Sequence, residues 1–234
     1  WSDRNAAAFQ ETFAKLGIEN TDFIRTSQDR HKTKVQQYVQ QLIDSGDVYL
    51  GEYEGWYDAG QEEYLPEAKA KEYDYKSPFN QKPLVRKKEK NFFFKLSKYQ
   101  GVLEQLLKGE SVNGQAFAVN PEARRNEVLG RIREGLNDVP ISRHAGSGEA
   151  SWGIAVPGDP THVIYVWIDA LFNYVSTVDT EDRRDFWPAD VHFIAKDILW
   201  FHAVIWPAML LALTRHLPRQ VYAQSFWSRE GEKM

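Results

Sequence analysis

The amino-acid sequence predicts an α/β fold built around a doubly wound parallel sheet, and three apolar runs in its last third carry this prediction. The runs "HVIYVWID", "VHFIA" and "VYAQSFW" have the character of strands, and helical patterns follow the first two. The first run is almost continuously apolar, as is typical of a strand covered on both faces. Alternation of strand and helix is typical of parallel sheets with helices packed on their faces.

Helical spacing of apolar residues predicts two helices in the first fifth of the chain. The apolar positions of the first are Ala6, Phe9, Phe13 and Leu16. The second is predicted over residues 30–45, with a stripe formed by Val35, Val39, Leu42 and Ile43. Gly17 and Gly46 follow these helices, and glycine after the last periodic residue is a common stop signal.

The middle of the chain predicts an insertion of mixed character. Residues 47–65, "DVYLGEYEGWYDAGQEEYL", have the pattern of a strand and hairpin. Periodicity is then lost up to residue 90, where the basic run "KPLVRKKEK" ends the segment. The run "NFFFKLSKYQGVLEQLLKG" predicts a strand followed by a helix, and Asn120-Pro121 is expected to start another, with proline in its first position.

Composition and charge limit the partners and structural classes that the sequence is compatible with. The 234 residues carry a formal net charge of -4, so bulk charge does not draw the chain toward nucleic acid. There is no cysteine, which excludes disulfides and thiolate metal sites. The apolar stretch 199–213 contains His202 and Pro207 and is too short to span a bilayer, so it predicts a buried helix. The first residues have no signal or transit pattern, and a cytoplasmic location is expected.

Two sets of side chains are candidates for a binding site. Ile198, His202 and Trp206 share one face of a helix by their i, i+4, i+8 spacing. Trp167, Ala170 and Tyr174 share another, provided that helix begins near Asp169. Both sets follow the end of a predicted parallel strand, where ligands of such sheets bind. From the residues alone, they are either core aromatics with a hydrogen-bonded histidine or the walls of a pocket for a flexible apolar ligand.

Several motifs in order give the chain a family resemblance. The segments "VPGDPTHVIYVWIDALFNYVS", "FWPADVHFIAKDILWFHAVIWPAMLLAL" and the final "GEKM" closely resemble methionyl-tRNA synthetases, which are class I aminoacyl-tRNA synthetases. "DFIRTSQDRH", "GDVYLGEYEGWY", "FFFKLSKYQ" and "NDVPISR" resemble the same family in the same order. The resemblance implies a Rossmann-type catalytic core with an inserted α+β connective domain. Its implied boundaries are 1–50 for the first Rossmann half, 51–141 for the insertion and 142–234 for the second half.

The resemblance also implies an activity and its residues. Methionine would be activated with ATP and Mg²⁺ to methionyl-adenylate and then transferred to the 3′ end of tRNA. The implied methionine-binding residues are Trp167, Ala170, Tyr174, Ile198, His202 and Trp206. The implied ATP-binding residues are Ala195, Asp197, Lys233 and Met234, of which Lys233 is also catalytic. No membrane partner is implied, and the oligomeric state is left open.

The sequence departs from the family pattern in five places. It has no H-I-G-H motif, and only Lys233 and Met234 of the K-M-S-K-S loop are present, so we expect the 234-residue central segment alone to be inactive. Ala195 stands where the family usually has glycine, which predicts weakened or shifted ATP binding. Gln224-Ser225 replaces a usual His-Gly pair. Asp58 and Gln61 stand where many members have zinc-binding cysteines, so a zinc-free member is expected.

Two further hypotheses stay open at this point. Another class I synthetase, specific for an aliphatic amino acid, is disfavoured by the combination of Trp167, His202 and Trp206. A non-catalytic, synthetase-derived RNA-binding module is compatible with the departures at Ala195, Gln224 and Ser225, which lie on the expected ATP-binding side. The basic run over residues 82–90 is either a solvated turn or a contact for acceptor-stem phosphates of tRNA.

Overall fold

The computed structural model describes residues 1–58, 63–65, 67–78, 80–145, 152–226, 228–229 and 232–233. The α-helices within them are α1 Ser2–Lys15, α2 Asp29–Asp44, α3 Glu67–Glu72, α4 Gln100–Leu107, α5 Glu122–Arg133, α6 Val166–Ser176 and α7 Trp206–Ala212. The strands are β1 Val48–Asp58, β2 Glu63–Leu65, β3 Val85–Phe94, β4 Ala118–Asn120, β5 Val139–Pro140, β6 Ser142–His144, β7 Ala155–Val156, β8 Asp159–Ile164, β9 His192–Ala195, β10 Gln220–Gln224, β11 Ser228–Arg229 and β12 Glu232–Lys233. None of the helices described is long and apolar enough to cross a membrane.

A parallel sheet with strand order β4-β10-β9 confirms the predicted α/β class. In its register Val221 of β10 lies beside Val119 on one side and His192 on the other. The predicted strands in "VHFIA" and "VYAQSFW" are therefore neighbours in this sheet. Their carboxyl ends meet at the pair Ala195 and Gln224, so the loops after both strands emerge at one edge.

The run "HVIYVWID" is not a parallel strand, and that prediction was wrong. Its strand portion, β8, ends at Ile164 and pairs antiparallel with β6 and β7 in a separate sheet. Tyr165 is the extended N-cap of α6, which begins at Val166 and not near Asp169. A short apolar run does not separate a strand from the start of a buried helix, and it does not fix the direction in which the strand pairs, which long-range contacts decide. The third parallel strand is β4, from the segment "FAVN".

The predicted hairpin forms a second sheet, with strand order β2-β1-β3-β5. Gly51 in β1 is closely surrounded, because a Cβ at this position would lie 3.0 Å from ring atoms of both Tyr49 and Phe93. Those rings stack with centroids 5.9 Å apart. A hydrogen bond connects this sheet to β6, since the Phe92 amide in β3 donates to Ser142 Oγ at 2.8 Å.

The predicted helix after Asn120-Pro121 begins later than expected. Asn120 is the last residue of β4, and Pro121 is an extended N-cap, so α5 begins at Glu122. Proline disfavours helical dihedral angles for the residue before it, so Asn120 stays extended in β4 and the helix starts only after Pro121. Because β4 pairs with β10, part of the segment predicted as an insertion belongs to the parallel sheet, and the domain boundaries stay a prediction.

The helix predicted over 30–45 is confirmed as α2, and Gly46 follows it with φ 72°. Its buried side chains are His31, Val35, Tyr38, Val39 and Leu42. This face packs against α6, where the Tyr38 and Phe172 rings lie 5.2 Å apart. The α2–α6 pair therefore connects the N-terminal part of the chain to the helix that carries three predicted site residues.

The predicted buried helix around Pro207 is also confirmed, with an interruption that was not predicted. A 3₁₀ turn over Lys196–Ile198 leads into a π-helical segment over Phe201–Ile205, and α7 continues from Trp206. Pro207 provides the physical reason, because it has no amide proton and its ring crowds the carbonyl four residues earlier. Such π segments are common at functional sites.

Candidate functional site

The centre of the site is a hydrogen bond between α6 and the π-helical segment. Tyr174 Oη lies 2.8 Å from His202 Nε2, and His202 Nδ1 lies 2.9 Å from the carbonyl oxygen of Ile198. A carbonyl oxygen only accepts, so Nδ1 carries the proton and Nε2 is the acceptor. Tyr174 therefore donates to His202. The 3₁₀ turn that holds Ile198 thus fixes the imidazole, and the imidazole fixes the phenol.

Burial keeps this pair uncharged. His202 is 4% exposed, and its burial lowers the pKa of the imidazole. Burial also raises the pKa of Tyr174 to about 12. Both shifts favour the neutral forms, which are the forms that the hydrogen bonds require. Near neutral pH the site presents aromatic rings and a phenol oxygen, without charge on either member of the pair.

A second histidine, His192 at the start of β9, completes the cluster. Its ring stacks on Tyr174 with centroids 4.0 Å apart and an interplanar angle of 29°. The indole Nε1 of Trp206 donates to His192 Nε2 at 3.3 Å. Burial, followed by the proximity of His202, lowers the pKa of His192 to about 3. His192 is thus a neutral acceptor that fixes the orientation of Trp206.

Trp206 forms the back of the site. It is fully buried, and its ring packs against Phe172, Tyr174 and Trp187, with centroids 5.8, 6.1 and 6.3 Å away. Edge-on and tilted contacts of this kind are the preferred arrangement for aromatic rings. A ligand would therefore contact the half-buried residues of the site before it reached Trp206.

Trp167 and Ala170 lie on the first turns of α6 and are half-buried. The Trp167 indole stacks on Phe201 with centroids 4.9 Å apart and an interplanar angle of 21°. Phe201 begins the π-helical segment, so this stack joins the same two elements as the Tyr174–His202 bond. The Ala170 carbonyl accepts a hydrogen bond from Asn173.

The structure brings four predicted residues into a contiguous group, namely Tyr174, Ile198, His202 and Trp206. Trp167 is linked to the group through Phe201. Sequence reasoning missed His192 and Trp187. The available signal for His192 was a histidine at the start of an otherwise apolar strand. Its partners, however, belong to α6 and α7, and no local pattern identifies them.

The predicted nucleotide side lies at the carboxyl edge of the parallel sheet. Ala195 ends β9 and is the extended cap of the 3₁₀ turn that contains Asp197. Asp197 is exposed. Lys233 lies in β12, whose backbone pairs with Ser228 of β11. Met234 falls outside the described residues, so its predicted role stays a prediction.

No group of three or more histidine, aspartate or glutamate side chains that could hold a metal ion occurs among the residues described. Asp58, one of the two positions where zinc-binding cysteines were considered, is the buried last residue of β1. Gln61 falls outside the described residues. The expectation of a zinc-free protein stays a prediction.

The basic run over residues 82–90 forms much of β3, which pairs antiparallel with β1, and these two strands together are called the basic hairpin. Arg86 lies 2.8 Å from Glu54, and Lys88 lies 3.0 Å from Glu52. The Lys87 ammonium lies over the Tyr57 ring, 4.1 Å from its centroid. Opposite charges on facing strands support the hairpin and reduce its net positive field.

Comparison with known proteins identifies the family of this site. The family model "tRNA synthetases class I (M)" matches residues 1–78 and 73–234. The chain belongs to this family. The class I fold expected of the family therefore accounts for the parallel sheet of β4, β10 and β9.

Relatives and solved structures agree with the family match. The methionine–tRNA ligase of Streptomyces coelicolor is 44% identical over 245 residues, covering 100% of this chain and 44% of that protein. The Listeria monocytogenes ligase is 42% identical over 248 residues, covering 99% of this chain and 36% of the relative. A Mycobacterium tuberculosis methionyl-tRNA synthetase in complex with methionyl-adenylate matches with TM-score 0.82 and 36% identity, over 99% of this chain and 45% of that one. The chain thus spans less than half the length of these relatives.

Proposed function

We propose that this chain forms part of a methionine–tRNA ligase, which joins methionine to ATP as methionyl-adenylate and transfers the methionyl group to tRNA. The observation that carries the proposal is the uncharged pair of half-buried Tyr174 and buried His202, backed by Trp206. The names of the relatives and the methionyl-adenylate in a similar structure point to the same chemistry. ATP with its Mg²⁺ is the second substrate, and tRNA is the macromolecular partner.

The aromatic cluster suits the thioether of methionine. A sulfur atom at a ring edge gains about 0.3–1.5 kcal/mol for each aromatic contact. The half-buried rings of Trp167 and Tyr174 and the side chain of Ile198 supply accessible apolar surface. His202 and Trp206 are 4% and 0% exposed, so a side chain that contacts them must displace a neighbouring ring.

The charge state of the cluster contributes selectivity. Desolvating an ionised side chain without a partner costs several kcal/mol, and the cluster's two histidines and its phenol are neutral near pH 7. Lysine and glutamate are therefore rejected. One methylene in an apolar pocket discriminates by only about 1–3 kcal/mol, so shape around the sulfur must separate methionine from leucine and isoleucine.

The nucleotide would bind at the carboxyl edge of the sheet. Asp197 follows β9 there, and its carboxylate can accept hydrogen bonds from ribose hydroxyls. Ala195 places a methyl group at the same edge, which predicts weaker ATP binding than glycine would give. Lys233 would supply positive charge to the phosphates, and Met234 would follow it in the same loop. This chemistry depends on positioning and charge stabilisation, with no protein nucleophile.

Three finer assignments belong to the same proposal. The domains would divide at residues 50 and 141, with the connective domain between the two Rossmann halves. The connective domain would hold no zinc, because no cysteine occurs in the sequence. The protein would act in the cytoplasm. Metal analysis of the purified protein tests the second assignment, where one zinc per chain would contradict it.

The activity is tested by ATP–pyrophosphate exchange with the complete product of the gene that encodes this chain. Exchange should require L-methionine, and leucine or isoleucine should support it roughly 10–200-fold less well. Equal exchange with isoleucine would instead indicate an aliphatic class I synthetase. Absence of exchange with every amino acid, together with retained tRNA binding, would indicate a non-catalytic RNA-binding module.

A further inference from the structure

A buried histidine outside the aromatic cluster, His31, has no part in the chemistry proposed above. It lies in the first turn of α2 and is fully buried. Its Nε2 lies 2.5 Å from Asp169 Oδ1, and its Nδ1 lies 2.8 Å from Ser176 Oγ. An ionised carboxylate only accepts, so Nε2 donates to Asp169. One imidazole therefore bonds to two side chains of α6.

The two partners are seven residues apart on α6, which is about two helical turns. A single ring that is bonded to both turns resists sliding and rotation of α6 relative to α2. Apolar packing between the same helices, such as the Tyr38–Phe172 contact, excludes water but is not directional. The two hydrogen bonds add the direction that the apolar contacts lack.

Both bonds lie beside residues of the proposed pocket. Asp169 is adjacent to Ala170 and two residues after Trp167. Ser176 is two residues after Tyr174. A shift of α6 at either turn would change the stack of Trp167 on Phe201 or the 2.8 Å bond from Tyr174 to His202. A displacement of about 1 Å remote from a reacting group can cost as much as about 100-fold in function.

We propose that His31 is a positioning residue for the methionine pocket, acting through Asp169 and Ser176. The inference rests on the proposed function, since it assigns His31 a role in that pocket. The His31 bridge fixes two turns of α6 against α2, and α6 presents Trp167, Ala170 and Tyr174 to the ligand. Both bonds of the bridge go to α6, which carries methionine-binding candidates, whereas Ala195 and Asp197 lie on β9 and the 3₁₀ turn after it. We therefore expect the effect on methionine binding and not on ATP binding.

The test compares His31→Leu with His31→Gln in the complete gene product, using calorimetric titration with L-methionine and, separately, with ATP. His31→Leu removes both hydrogen bonds, and the methionine Kd should rise at least about tenfold with unchanged stoichiometry and unchanged ATP Kd. Glutamine supplies one donor and one acceptor, so His31→Gln should recover most of the methionine affinity. Ser176→Ala removes one bond and should give a smaller rise, and it remains informative if His31→Leu does not fold.

A matched control separates positioning from loss of stability. Leu103→Ala in α4 deletes a fully buried core side chain and should lower the unfolding midpoint without changing the methionine Kd. An unchanged methionine Kd in both His31→Leu and Ser176→Ala would overturn the positioning role, and so would an equal rise in the methionine and ATP Kd. Wild-type protein that shows no saturable methionine binding would overturn the proposed function and the positioning role with it.

Discussion

The aromatic cluster and the basic hairpin both concentrate polar side chains, but they treat charge in opposite ways. In the cluster, His202 is buried, Tyr174 is half-buried, and both are neutral. The hydrogen bond from Tyr174 Oη to His202 Nε2 gives each of these two atoms a partner. In the hairpin, Arg86 and Lys88 remain more than half exposed and face glutamates across the strands. Solvent screens the hairpin pairs, whereas the cluster is shielded from solvent.

The difference in burial predicts that the cluster contributes more than the hairpin to stability and ligand selection. Removing one partner from a buried hydrogen-bonded group leaves a desolvated polar atom, which costs about 1–3 kcal/mol. Exposed ion pairs contribute only about 0–1 kcal/mol each to stability. Mutations in the cluster should therefore change both stability and ligand selection, and mutations in the hairpin should change neither by much.

The largest effect is expected from Trp206→Ala. The substitution empties a fully buried space beside Phe172 and leaves His192 without its indole donor, so the free energy of unfolding should fall by about 3–5 kcal/mol. Denaturant unfolding followed by circular dichroism measures it. Trp152→Ala is the matched control, because Trp152 is 87% exposed and its loss should cost no more than about 0.5 kcal/mol. Equal losses in the two variants would contradict a buried role for Trp206.

The second-largest effect is expected in the pH dependence of the free energy of unfolding, which should distinguish the cluster from the hairpin. Histidine titrates near 6.5 when unfolded, and His192 has a pKa of about 3 when folded. Between these values the unfolded chain binds a proton that the folded chain does not, so stability falls as pH falls, by about 1.4 kcal/mol per pH unit. His202 acts in the same direction.

His192→Phe tests this linkage while keeping a ring against Tyr174. From pH 6.5 down to pH 5, the free energy of unfolding of the variant should decline less steeply than that of the wild type. The two slopes should differ by up to about 1.4 kcal/mol per pH unit, which corresponds to one proton. Urea unfolding at several pH values gives both slopes. Identical slopes would mean that His192 is protonated in the folded protein, which contradicts the tautomers assigned to the cluster.

The smallest effect is expected in the hairpin. The double variant Arg86→Gln, Lys88→Gln removes two cross-strand pairs and should change the free energy of unfolding by no more than about 0.5 kcal/mol. Because Glu54 and Glu52 already offset these charges, tRNA affinity should have the same salt dependence in the variant and the wild type. A shallower slope of log affinity against log salt in the variant would show phosphate contacts and reverse the interpretation.

The sequence predicted the features that depend on local periodicity. The helix α2 and its Gly46 stop, the hairpin and the strands β9 and β10 follow from patterns within about fifteen residues. The spacing of Ile198 and His202 correctly placed them together, since the 3₁₀ turn and the π-helical segment keep Ile198 O near His202 Nδ1. What the sequence did not predict depends on long-range contacts. The pairing of β8 with β6 is set by the tertiary fold.

Other misses have the same origin. His31 bonds to Asp169 across 138 positions, and no local signal connects them. His192 is separated from Trp206 by 14 residues and a change of element. The π-helical segment did have a sequence cause in Pro207, but whether a proline kinks a helix or widens one turn depends on the packing around it.

The most direct test of the central claim is calorimetric titration of L-methionine into the wild type and into Tyr174→Phe of the complete gene product. The wild type should bind one methionine per chain. Tyr174→Phe leaves His202 Nε2 without its donor and should raise the methionine Kd by about tenfold or more, with the ATP Kd unchanged. Methionine binding of wild-type affinity in both Tyr174→Phe and His202→Leu would contradict the claim that this hydrogen-bonded pair recognises the ligand.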